Sequence, residues 1–120
     1  MVINDSLDLL DELSLFLLAQ PGIDLAGFSD DTDETLDEVG ALRPQLVVLG
    51  LHMRGRDSFQ TPHELRRKFP AIGIIVTGRS EKCSIATRCR SEGADAFVSK
   101  KHLRRDLLPA IQRAVAEHAL

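Results

Sequence analysis

The chain has 120 residues, 43% hydrophobic and 28% charged, with five Phe and no Trp or Tyr, which fits one domain over residues 1–120 with an aliphatic core. No apolar run is long enough to cross a bilayer and no secretory leader pattern opens the chain, so a cytoplasmic protein without a membrane partner is expected. The net charge of −3 conceals a split: residues 1–42 hold 11 acidic residues and no Lys or Arg, while residues 43–120 hold 15 Lys plus Arg against seven acidic. Such a split marks either a docking face or two segments that neutralise each other when packed.

Met1–Ile3 reads as a short buried strand ending at Asn4-Asp5. The stretch SLDLLDELSLFLLAQ places Leu9, Leu10, Leu13, Phe16 and Leu17 on one helical face and Asp8, Asp11 and Glu12 on the other. Pro21-Gly22 stops that helix. IDLAGF is a second strand, and SDDTDETLDEV opens a second helix with acids front-loaded at its N-terminus. Its Asp-rich run lacks the glycine and glutamate spacing of a calcium-binding EF-hand loop. QLVVLG is the clearest strand, apolar on both faces as a central parallel strand is. Thr61-Pro62-His63-Glu64 has the form of a capping box, opening a helix that ends near Phe69-Pro70. IGIIVT is the fourth strand. Ser80 caps the following helix and Gly93 ends it. ADAFVS is the fifth strand and runs into Lys100. The closing helix turns Leu107, Leu108, Ile111 and Val115 inward, with Pro109 expected within its first two turns, since deeper in a helix it would cost about 3 kcal/mol.

Cys83 and Cys89 are six residues apart, about 120° around a helix, which suits neither a disulfide nor a zinc or redox motif. They are expected to be free thiols, one of them buried beside Ile85.

Five strand–helix repeats with short connections imply a parallel sheet covered by helices on both faces. In such a sheet, function gathers at the carboxyl ends of the strands. Those ends carry Asn4 and Asp5, then Gly50, Thr77 and Lys100. Each alone has an ordinary reading as a cap, a turn or a solvated charge; together they form one rim.

This set resembles the receiver domain of bacterial response regulators, the CheY-like superfamily, over the whole chain. Receivers carry an acidic pair after the first strand, matched here by Asn4-Asp5. They carry the phosphate-accepting Asp at the end of the third strand, in a stretch like LVLLDLxMPGxDG; this chain has LVVLGLHMRGRDS, with Gly50 in that place. A Thr or Ser ends the fourth strand, matched by Thr77, and an aromatic residue stands three before a Lys, matched by Phe97 and Lys100. Asp5, Gly50, Thr77 and Lys100 succeed one another at separations of 45, 27 and 23 residues, as in the family. The resemblance implies a flavodoxin-like (βα)5 fold, doubly wound, with strand order 2-1-3-4-5, and a signalling module of a two-component phosphorelay rather than an enzyme.

The departures decide the expected function. The family's nucleophile is the Asp that Gly50 replaces, and glycine supplies no oxygen. Magnesium takes six oxygens in tight octahedral array; Asn4, Asp5 and Gly50 leave one carboxylate of three, so magnesium at Asp5 is expected to be weak or absent and no other cofactor is implied. Arg54 stands where Pro is usual, Ser58 where Gly is usual and Lys101 where many receivers have a cis-Pro. Asp57, seven residues past Gly50, is too displaced to replace the acceptor. The resemblance makes Thr77 and Phe97 the inherited switch pair and Asp5–Lys100 the inherited ion pair. The expected function is therefore that of a phosphorylation-independent pseudo-receiver that docks a protein partner: a kinase, an effector domain, another regulator or a second copy in a homodimer. The alternative is a sensor of a small ligand or anion in the space left beside Lys100 and Thr77. Nucleic-acid binding through LRRK and KKHLRR is not expected, for want of an interleaved aromatic surface.

Overall fold

The computed structural model describes residues 1–3, 7–24, 27–29, 35–50, 60–78 and 83–118, excepting the side chains of 7–12, 28–29 and 83. Five strands, β1 (Val2–Ile3), β2 (Phe28–Ser29), β3 (Leu46–Gly50), β4 (Gly73–Gly78) and β5 (Ala96–Ser99), alternate with five helices, α1 (Leu7–Leu18), α2 (Thr35–Leu42), α3 (Gln60–Lys68), α4 (Cys83–Ser91) and α5 (Leu103–Glu117). The sheet is wholly parallel in the order β2-β1-β3-β4-β5. The flavodoxin-like (βα)5 architecture expected from the sequence is present.

Alternation along the strands builds two cores. Ile3, Val47, Leu49, Ile74 and Val76 point to one face and pack with Val39, Leu65 and Cys89. Val2, Val48, Ile75 and Val98 point to the other and pack with Leu13 and Leu17 of α1 and Leu107, Ile111 and Ala114 of α5. A strand covered on both faces must be apolar throughout, which is why LVVLG and GIIVTG read as continuous runs. The first and last helices thus share a face, bringing acidic α1 beside α5.

Several boundaries differ from the sequence reading. The apolar pattern starts the second strand at Ile23, but only Phe28–Ser29 pair with β1; Ile23 instead packs as a half-buried side chain against the α1–α5 core. Helix α3 begins at Gln60, one residue before the expected cap, so buried Pro62 lies inside the first turn, where its missing N–H has no intrahelical partner. Pro109 is the seventh residue of α5, on its exposed side, at the end of the second turn. Leu108 and Val115 are half-buried rather than core residues, and Ala114 takes the inward place. Leu9, Leu10 and the Cys83 side chain lie outside the described residues, as do Asn4, Asp5, Arg54, Asp57, Ser58 and Ser80.

The end of the sheet opposite the functional rim is held by Asp95. Ile74 lies just beyond the start of β5, so the ladder cannot take its N–H; Asp95 Oδ2 accepts it at 2.7 Å, while the Asp95 N–H donates to Ile74 O at 2.8 Å. The same carboxylate oxygen accepts from Arg66 Nη2 at 3.0 Å, and Oδ1 lies 2.9 Å from His118 Nε2 at the end of α5. Arg66 also donates to the carbonyls of Gly93, Pro70 and Ile72 at 2.7–2.9 Å. Gly93 has φ +108°, and a Cβ there would stand 2.6 Å from Arg66 Cβ; the arginine clamp therefore requires a glycine at the end of α4.

This packing generates two expected outcomes. Asp95→Ala orphans the Ile74 N–H and the Arg66 guanidinium together and is expected to destabilise the fold by about 2–3 kcal/mol, with Asp95→Asn milder because one acceptor oxygen remains; a lower urea midpoint at unchanged slope is the readout. Cys89 is fully buried, and burial pushes its thiol up to about 11 from an ordinary 9.0. A thiolate is thus disfavoured in the folded state alone, so stability is intact below pH 9.0 and falls as pH rises toward about 11. In a Cys83→Ser variant the remaining thiol should resist alkylation near neutral pH until the protein unfolds.

Candidate functional site

Strand β3 delivers its last residue, buried Gly50, to the carboxyl edge of the sheet, directly opposite Thr77 of β4. Thr77 is fully buried, and its Oγ1 donates to Leu49 O at 3.5 Å. That length is at the limit of a hydrogen bond, so the hydroxyl is only loosely held by its own sheet. On the other side Thr77 pairs with Val98, and Gly78 pairs with Ser99.

Ser99 ends β5 and caps the turn beyond it. Its Oγ accepts from the Lys101 N–H at 3.4 Å, and the chain passes through a short 3-10 segment, Lys100–His102, into α5. Lys100, half-buried, opens that segment immediately beyond the strand. Gly50, Thr77 and Lys100 thus lie at the carboxyl ends of three adjacent strands, the edge where open α/β sheets hold their ligands. Asn4 and Asp5, the remaining members expected of the rim, lie outside the described residues.

Phe97 is not in register with Thr77. It pairs with Val76 and packs, half-buried, against the α3–α4 core. Strand alternation assigns Thr77 and Phe97 to opposite faces of the sheet.

The family model for the response regulator receiver domain matches residues 1–112. The chain belongs to the response regulator receiver family. Among curated relatives it is 29% identical over 100 residues to the transcriptional regulatory protein PdtaR of Mycobacterium tuberculosis, an alignment covering 83% of this chain and 48% of that protein. The chain spans half or less of the length of the curated relatives it matches. Two solved receivers share its fold: the response regulator domain of Thermotoga maritima CheB, with TM-score 0.85 and 21% identity over 96% of this chain and 93% of that one, and a LuxR-family two-component response regulator from Aurantimonas sp. SI85-9A1, with TM-score 0.89 and 20% identity over 98% and 84%. The matched module is the receiver domain of response regulators, a signalling domain of two-component systems. No helix among the described residues is long and apolar enough to cross a membrane.

Sequence reasoning located the strand ends of the rim and overlooked two features. The Ser99 cap sets where Lys100 leaves the sheet; its signal is a serine directly before a short basic turn. The Arg66–Asp95–His118 network fixes the far end; its signal is an acid between a glycine and the apolar AFV, where a strand has not yet begun.

Proposed function

We propose that this receiver domain signals without phosphorylation at its rim, by docking a protein partner in a conformation set by contact rather than by a phosphoryl group. The observation that carries this reading is Gly50 itself: the residue that ends β3 beside Thr77 has no side-chain oxygen. Phosphoryl transfer is positioning plus charge stabilisation around a nucleophile, and at this position no nucleophile exists.

The family's divalent ion does not fit the donors present either. The described part of the rim offers a glycine carbonyl and a threonine hydroxyl, with Lys100 in the turn just beyond the end of β5, and the sequence adds only Asn4 and one carboxylate, Asp5. Magnesium needs near-ideal octahedral oxygen geometry and is usually held by carboxylates, and a single carboxylate beside a neutral Asn and a glycine fits it poorly.

What this chain retains is a two-sided scaffold on which a partner can bias the position of a loosely held Thr77 and of the turn bearing Lys100. A ligand shifts such an equilibrium only through differential contacts with its states; here those contacts belong to a protein partner.

Treatment with acetyl phosphate and magnesium should leave the intact mass unchanged under non-acidic handling; a stable gain of one phosphoryl group would overturn the reading. Gly50→Asp alone should not restore efficient phosphorylation, because position 4 remains a neutral Asn. Asn4→Asp with Gly50→Asp places three carboxylates at the rim. Their mutual repulsion should lower the melting temperature without metal, and magnesium should recover it. The parent should show little response, and equal magnesium stabilisation of the parent would contradict the account of the metal site.

A further inference from the structure

A cavity of about 180 Å³ opens at the amino ends of β1 and β3, the end of the sheet away from Gly50 and Thr77. Its apolar walls are Leu17 from α1, Ile23 from the turn that follows, Leu46 and Val48 from β3, and Ile111 and Val115 from α5. Gly22, at φ +82°, turns the chain away from α1. Ile23 then packs against the α1–α5 core instead of pairing with β1, and so forms one wall.

Water finds few partners in this space. The carbonyls of Met1, Gln45 and Leu46 already accept, from the Val48 N–H at 2.8 Å, the Gly73 N–H at 2.9 Å and the Met1 amino group at 3.0 Å. A buried water needs roughly two to four polar partners, whereas an apolar cavity of about 150 Å³ stays dry and takes up benzene. Asp24 is the one charged side chain among the described lining residues, and it is exposed, which sets it at the mouth. No Lys, Arg or His is among those residues. Burial pushes the Met1 amino group down to about 6 from an ordinary 8.0, so above neutral pH it carries no charge that repels a cation.

We infer that this cavity binds a small arylalkyl amine, its single ring seated among the leucine, isoleucine and valine side chains and its ammonium group on the Asp24 carboxylate at the mouth. Burial of the ring against the apolar walls supplies the affinity. The carboxylate supplies selection, because an anion of the same shape meets it with like charge. The bound ring touches α1, the turn after it, β3 and α5 together, so occupancy ties the two helices of one face to the sheet. The inference goes beyond the proposed function and is independent of whether position 50 accepts a phosphoryl group, since Gly50 and Thr77 lie at the other end of β3 and β4.

Titrations of the reduced protein with benzylamine, benzyl alcohol and benzoate, followed by amide NMR slightly above neutral pH, test it. Benzylamine is expected to give saturable shifts centred on Ile23, Leu46, Ile111 and Val115. At low salt it should bind about two- to fivefold more tightly than benzyl alcohol, the worth of one exposed ion pair, and high salt should remove that margin. Benzoate should bind most weakly of the three. Asp24→Asn alters an exposed side chain, so it should melt like the parent and bind the amine no more tightly than the alcohol. Val115→Phe fills the cavity from α5 and should weaken amine and alcohol alike, with a melting curve to show that the fold is kept. The inference is overturned by an absence of saturable shifts with benzylamine, by shifts centred on other residues, by an amine preference that Asp24→Asn leaves intact, or by benzoate binding as tightly as benzylamine.

Discussion

The parallel ladder between β3 and β4 is the constraint on which the rest of the structure depends. Its five registered pairs run from Leu46↔Gly73 to Gly50↔Thr77. Along them, alternate residues feed the two cores, so a one-residue slip would exchange the core faces of a whole strand. The same register decides which residues meet at the functional edge. Gly50 faces Thr77 because Val48 faces Ile75 and Leu49 faces Val76. The Asp95 carboxylate secures this ladder at its opposite end by taking up the Ile74 N–H that β5 does not reach.

Much of this is legible in the sequence for physical reasons. LVVLG and GIIVTG are unbroken apolar runs, which only strands buried on both faces need, and Gly93 marks a left-handed turn by having no Cβ. Strand ends are readable because apolar runs stop abruptly, and those ends set the rim. The features hidden from a sequence reading depend on partners far along the chain. Asp95 looks like a loop acid until Arg66, 29 residues earlier, and His118, 23 residues later, are brought against it. Ile23 has the pattern of a strand residue, yet it fills the space beside the α1–α5 core outside any strand.

On the proposed reading, a glycine at one strand end separates the architecture of a receiver from its chemistry. The fold places Gly50, Thr77 and Lys100 on one edge whether or not residue 50 carries a carboxylate, because burial and register determine that edge. The proposed function comes from keeping that frame while removing the group that would switch it, which shifts control to surfaces.

The central claim is that the rim no longer senses a phosphoryl group. Amide resonances of Thr77, Ser99 and Lys100, monitored by NMR during titration with beryllofluoride and magnesium, test it most directly, since these residues surround the position where the mimic would bind. The account expects no saturable shift in the parent protein. Saturable, magnesium-dependent shifts centred on Thr77 and Lys100 would contradict it.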